Sequence, residues 1–465
     1  MEISGVFANV EPWSEYNPYL YTLVLRLKDK TMTTIETLGC RVGFRNVDYT
    51  GGVLKINGNP TTIRGVVRGE MVTDNNFPTP EAMLKELELM KTNNINAVRV
   101  AYAPQHPYFY DLCDEYGIYV FDEANLHPCH LDKTLSTNKD MSAAFVARAR
   151  NMYERDKNHP SVIAWCIGDA NENGICFEDV YRFLHQKDAM RPVVYPGTET
   201  GSNTDFVFTK HKSANDLLAF SQKKQLQGLI MSEYGSTQGN SFGSTANMWR
   251  LMKESAMLGG GFISYWNEME IYDWESQKDI RLHGIIDRKG VAKPYLAEIK
   301  KMYGCIEVEV VDKAKGRFKV KNNHDYKTLK EFRFEYTIFS NLKPMVISGD
   351  IPVATKPGET TMFELQIPKL KAYAGEEYFI RFTLKQPKDN KAYKRGYEYD
   401  FVEFALDMPT FRKQELKPYE KTELYLDEQS SERVEAIEVE ELKIENDNSI
   451  TLLRPGKITV EDLSK

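Results

Sequence analysis

The stretch "SVIAWCIGDANENG", residues 161–174, decides how the chain is read. The apolar run Val162 to Ile167 is too short for a helix and has the length of a fully buried strand. Gly168 ends the run, and the acidic residues Asp169 and Glu172 follow. Such a strand carries carboxylates to a cleft at its C-terminal end. Seven further runs share the design: "TIRGVVR" (62–68), "NAVRVAY" (96–102), "GIYVFDEAN" (117–125), "PVVYPGT" (192–198), "DFVFTK" (205–210), "GLIMSEYG" (228–235) and "GGGFISYWNE" (259–268). Helix-like segments separate most of them. "TPEAMLKELELMKTNN" (79–94) opens on Thr79 and Pro80, which suit the N-cap and first helical positions. Eight strand–helix units over about 250 residues predict a (β/α)8 TIM barrel with its site at the C-terminal strand ends. An open doubly wound sheet is the alternative, but no G-x-G-x-x-G follows any strand, so dinucleotide binding has little support.

The rhythm differs on both sides of this unit. Residues 1–50 alternate as strands do, in "LYTLVLRL" and "TIETLGCRVGFRNV", and predict the end of an immunoglobulin-like β-sandwich. The barrel unit spans 51–303. Strand alternation returns over 304–408, from "IEVEVVD" to "YEYDFVEFAL", and predicts a second immunoglobulin-like sandwich. Residues 409–465 are polar and rich in Glu and Lys, and read as a linker and the start of a C-terminal β domain. The fold class is therefore multidomain, a TIM barrel flanked by sandwich segments.

Composition narrows the partners. A net charge of −7 carries no basic footprint for nucleic acid. No apolar run reaches the ~18–20 residues of a membrane span. Six cysteines without a C-x-x-C or an even short spacing imply free thiols. The first residues lack the basic and apolar regions of a secretory signal, which predicts a cytoplasmic location if Met1 is the native start. Homo-oligomer formation stays open.

At the strand ends stand Asp122, Glu123 and Asn125; Asp169 and Glu172; Glu233 and Tyr234; and Trp266, Asn267 and Glu268. Two carboxylates facing across a cleft with an aromatic floor suit glycoside cleavage, one protonating the leaving oxygen while the other attacks or activates water. The plain alternative is structural ion pairing with Arg64 or Arg99.

Several blocks together resemble the β-galactosidase-type glycoside hydrolases of family 2. They include "WSEYNPYLYTL", "LKINGNPTTIRGV", "LCDEYGIYVFDEAN", "RDKNHPSVIAW", "SEYGSTQGNSFG" and "GIIDRKGVAKPYLAEIKK", and the likeness runs in register to about residue 408. The resemblance implies a retaining hydrolase of terminal β-linked galactose. It also implies that this chain corresponds to the middle of such an enzyme, without its N-terminal jelly roll and most of its last β domain.

Carried over position by position, the resemblance makes Glu233 the nucleophile and Trp266 the aromatic platform. Arg99 and Asn125 match the family's strand-2 and strand-3 signatures at the barrel top. Tyr102 falls in the turn after strand 2, and His211 where a tyrosine is expected after strand 6. The acid/base glutamate falls on Ala170, leaving Asp169 and Glu172 as displaced candidates. The magnesium ligands expected after strand 3 fall on His127 and Cys129, so no metal or other cofactor is predicted. His127, Cys129 and His130 are softer ligands that would suit zinc better, but their spacing is irregular and an ordinary loop is the simpler reading. The sequence thus supports a galactosidase with impaired chemistry, with an inactive carbohydrate-binding pseudoenzyme or a structural fragment as alternatives.

Overall fold

The computed structural model describes residues 6–69, 79–127, 135–169, 173–198, 201–239, 241–273, 278–313, 315–368, 370, 376–406, 442–444 and 450–452. Eight parallel strands form the central sheet: β1 (Ile63–Arg68), β2 (Ala97–Val100), β3 (Tyr119–Glu123), β4 (Val162–Cys166), β5 (Val193–Val194), β6 (Val207–Lys210), β7 (Leu229–Tyr234) and β8 (Leu258–Ile263). Their order runs β5-β4-β3-β2-β1-β8-β7-β6, a barrel closed everywhere except between β5 and β6. At that seam the loop residue Asp205 donates its N–H to Val193 O at 2.9 Å. The fold is a TIM barrel accompanied by β-sheet segments.

Strand pleat sorts the side chains into two cores. Ile63, Val67, Ala97, Phe121, Phe208 and Phe262 fill the barrel interior. Val66, Val98, Val120 and Val162 face the helices and pack with Leu87, Phe109 and Phe177. The helices are α1 (Pro80–Lys91), α2 (Pro107–Tyr116), α3 (Ser142–Asp156), α4 (Ile175–Lys187), α5 (Ala214–Ser221), α6 (Thr245–Glu254) and α7 (Tyr295–Met302). Thr79 caps α1 as its sequence predicts, its hydroxyl accepting from Ala82 N–H at 3.2 Å.

Before the barrel, Tyr21–Lys28 pairs antiparallel with Thr34–Val42. Asp29 closes the turn by accepting the N–H groups of Thr31 and Thr33. After the barrel, a three-stranded antiparallel sheet contains Ile306–Asp312, Arg317–Asn322 and Thr360–Glu364. A four-stranded one contains Ile347–Asp350, Arg333–Ser340, Tyr378–Lys385 and Glu398–Leu406. Phe318 of the first sheet meets Phe382 of the second at 4.8 Å between ring centroids, forming a sandwich core. Residues up to 368 and 378–406 form one compact unit. A second unit contains, among its described residues, the strand pair Leu442–Ile444 and Ile450–Leu452.

Candidate active site

Arg99, next to last in β2, points into the barrel between the inward-facing Ala97 and Ala101. It is fully buried and gathers three carboxylates. Its guanidinium donates to Glu123 Oε2 at 2.7 Å, to Asp169 Oδ1 at 3.0 Å and to Glu233 Oε1 at 3.1 Å. A second cation, Lys210 at the end of β6, lies 2.6 Å from Asp169 Oδ1 and 2.8 Å from Glu233 Oε1, so those two oxygens are at most about 5.4 Å apart. Tyr265 donates its hydroxyl to Glu233 Oε2 at 3.2 Å, and the Tyr102 hydroxyl lies 3.3 Å from that of Tyr265.

Two local irregularities aim these groups. Along β7, Ile230 faces the barrel interior and Met231 the helices, so strict alternation would turn Glu233 outward. The pairing of β6 with β7 instead slips by one residue, from Thr209↔Met231 to Lys210↔Glu233, and this bulge turns the carboxylate inward. Gly168 has φ +122°, and a Cβ there would lie 2.6 Å from Leu126 O, so only glycine makes the turn that brings Asp169 over Arg99.

The electrostatics separate the roles. Burial alone would raise the Asp169 carboxyl, but Arg99 and Lys210 outweigh it and hold the group well below the usual carboxylate range. This setting favours the ionised carboxylate of Asp169, one of the two acid/base candidates. Burial raises Glu123 in spite of Arg99. Lys210 is desolvated, yet Glu233 and Asp169 hold its ammonium above the ordinary lysine range.

The remaining residues singled out by sequence are placed differently. Trp266 is fully buried, so in this conformation its ring belongs to the core and offers no open face to a sugar. Asn125 is exposed, and its carbonyl accepts from Arg148. His211 is also exposed, and it supports the site through its backbone, donating its N–H to Glu233 O at 3.1 Å. Glu172 and Ala170, with Cys129 and His130, lie outside the described residues. Lys210 and Tyr265 escaped the sequence reading. Lys210 was accessible to it, since alternation from the inward Phe208 puts residue 210 inside.

Of the positions where resemblance expects magnesium ligands, His127 is described, its Nδ1 3.8 Å from Asp169 Oδ2, while the Asp169 and Glu233 carboxylates are ion-paired with Arg99 and Lys210.

Residues 47–308 match "Glycosyl hydrolases family 2, TIM barrel domain", residues 2–45 match "Glycosyl hydrolases family 2", and residues 318–407 match "Beta-galactosidase, domain 4". The chain belongs to glycosyl hydrolase family 2. Among curated family-2 relatives, it is 32% identical over 427 residues to a β-galactosidase of Priestia megaterium, covering 85% of this chain and 41% of that one. A Vibrio cholerae β-galactosidase is 39% identical over 283 residues, covering 57% and 27%. This family-2 chain thus spans about two fifths or less of the length of these relatives. Among solved structures, a GH2 β-galacturonidase from Eisenbergiella tayi superposes with TM-score 0.56 at 20% identity, covering 64% of this chain and 60% of that one. An FMN-binding β-glucuronidase from Faecalibacterium prausnitzii gives 0.57 at 17%, covering 87% and 65%. Identities this low establish a shared fold alone. Among the described residues no helix is long and apolar enough to cross a membrane.

Proposed function

We propose that the chain is a β-galactosidase-type glycosidase of the retaining kind, with Glu233 as nucleophile and without a positioned general acid. The observation that carries this reading is the setting of Glu233 at the C-terminal end of β7, held by Arg99 from one side and by Tyr265 from the other. A carboxylate fixed at both oxygens is presented in one orientation, as nucleophilic attack at an anomeric carbon needs.

In this reading the position of the proton donor is taken by Ala170, and the other candidate, Glu172, lies outside the described residues. Asp169 is close enough to Glu233 for a retaining pair but is kept ionised by two cations. Lys210 carries protons, but its ammonium is ion-paired with both Glu233 and Asp169. Its ammonium also reduces the negative potential that favours an oxocarbenium-like transition state. Turnover is accordingly confined to galactosides whose leaving group departs unprotonated.

The test uses 2,4-dinitrophenyl β-galactoside. Attack by Glu233 breaks the bond to the anomeric carbon and expels dinitrophenolate, leaving a glycosyl-enzyme. Azide then attacks the same carbon, forms β-galactosyl azide and frees Glu233. Azide-dependent release of dinitrophenolate that disappears in Glu233→Gln is the expected result. No release with or without azide would establish the inert pseudoenzyme reading, and rapid lactose hydrolysis would mean that a general acid exists elsewhere.

A further inference from the structure

A cavity of about 650 Å³ lies at the opposite end of the barrel from Glu233, within the first compact unit. Its floor is Arg64 at the start of β1 and Asn94 to Asn96 just before β2. Glu15 and Tyr16 from the N-terminal segment, Lys91 and Trp249 from the helices, and loops of the sandwich complete the wall. Its size is within the ~300–1,000 Å³ of small-molecule sites.

Charge and shape in this cavity point the same way. Six basic side chains line it against three acidic ones. Four of the cations are paired: Arg64 with Glu15 at 2.5 Å, Lys253 with Glu307, Lys391 with Glu115, and Lys327 with Glu331 at 3.8 Å. Lys91 and Lys321 are in no ion pair among the described residues. Lys91 is buried, and its ammonium is held only by two backbone carbonyls, Glu15 O at 2.7 Å and Gly117 O at 3.0 Å. An ammonium has three N–H groups and burying one is costly; the Glu15 carboxylate, itself paired with Arg64, offsets part of that cost. Burial accordingly pulls the Lys91 ammonium down to about 8. Tyr16 and Tyr393, both half-buried, present ring surface to the same cavity.

We propose that this cavity is a binding site for a small organic monocarboxylate built on a ring, with the carboxylate toward Lys91 and the ring against the aromatic wall. Lys321, half-buried on the sandwich, adds to the field that draws the anion in. The site is separate from the carboxylate cluster and independent of whether that cluster turns over a galactoside. Two kinds of molecule share the required chemistry, an aromatic acid and a sugar acid.

The test is calorimetric titration of the full chain at low ionic strength with 4-hydroxybenzoate, galacturonate and, as the neutral control, galactose. At least one acid is expected to bind, equally well to wild type and to Glu233→Gln, and about tenfold more weakly to Lys91→Met and to Lys321→Ala. Which acid binds identifies the ring. Lys321→Ala alters a residue outside the buried network, so it keeps the test valid if Lys91→Met fails to fold. The proposal is overturned if neither acid binds, if galactose binds as tightly as the acids, or if binding is lost in Glu233→Gln. Binding undiminished in both lysine variants overturns it as well.

Discussion

A methyl group, that of Ala170, occupies the position where resemblance places the proton donor. If that single difference limits the chemistry, Ala170→Glu should restore it selectively. The expected gain is ~10²–10⁴-fold in kcat/KM on lactose or an alkyl galactoside, whose leaving group needs the proton. Little or no gain is expected on the dinitrophenyl substrate, whose leaving group does not. Steady-state rates on the two substrates check this, and an equal gain on both would mean that the substitution acts by binding. Lys210 belongs to the same problem at the same scale. It was legible as an inward residue from the alternation of "DFVFTK", but no sequence rule pairs it with Asp169 and Glu233 across three strands. That contact depends on a bulge in β7, and a one-residue slip in pairing leaves no mark in composition or periodicity. Glu233 and Arg99, by contrast, were singled out by the family resemblance and by their place at strand ends, although the inward turn of Glu233 depends on that same bulge.

At the scale of elements, the helices and strands were legible because their apolar residues recur at two different periods. How the elements are joined was less so. Helix α2 ends at Gly117, which has φ +73° and sends its N–H back to Cys113 O at 2.9 Å, a left-handed C-cap. A glycine suits that position for its backbone freedom. The structure adds a second reason, because a Cβ at Gly117 would meet Glu15 O at 2.6 Å and Glu15 Cα at 2.8 Å. The Gly117 carbonyl also accepts from Lys91, so a shift of this cap disturbs the buried ammonium. Gly117→Ala is therefore expected to cost more than the ~1 kcal/mol of a left-handed alanine, on the order of 2–3 kcal/mol. Gly117→Asn, which tolerates the backbone angle but not the close approach, should be nearly as harmful. Urea denaturation of the two variants distinguishes the causes, since an asparagine that restored wild-type stability would leave the dihedral angle as the only constraint.

Across the whole molecule, the N-terminal segment, the barrel and the sandwich meet in one buried polar network. Glu15 accepts from Arg64 at 2.5 Å and from Asn96 at 2.7 Å, and Arg64 reaches Asp325 of the sandwich at 3.4 Å. Next to it, His324 bonds Tyr16 through Nδ1 at 3.1 Å and stacks on Phe332 at 4.6 Å. Glu15→Gln leaves buried Arg64 with the longer contact to Asp325, so it should destabilise by up to ~3–5 kcal/mol and lower the melting of barrel and sandwich together. A variant in which the sandwich alone melted early would show that the network does not couple them. The same cluster sets a pH dependence. Burial, with Arg64 and Lys327 nearby, pushes the His324 imidazole down to about 3 from 6.5. Between those values the unfolded chain takes up a proton that the folded one refuses, so His324 makes stability fall as the pH drops. Burial pushes Asp325 up to about 7 from 3.8, against the pull of Arg64. Between those values the folded chain keeps a proton that the unfolded one releases, so Asp325 makes stability fall as the pH rises. Over the shared window, about pH 4 to 6.5, the two slopes oppose each other, each reaching at most ~1.4 kcal/mol per pH unit. His324→Phe keeps the stacking ring on Phe332 but removes one slope. Relative to wild type, its unfolding free energy should then decline as pH rises through this window, with a difference of up to ~1.4 kcal/mol per unit. Denaturant titrations at half-unit pH intervals measure that difference directly. Parallel curves for the two proteins over this window would mean that His324 is not the buried neutral base of this network.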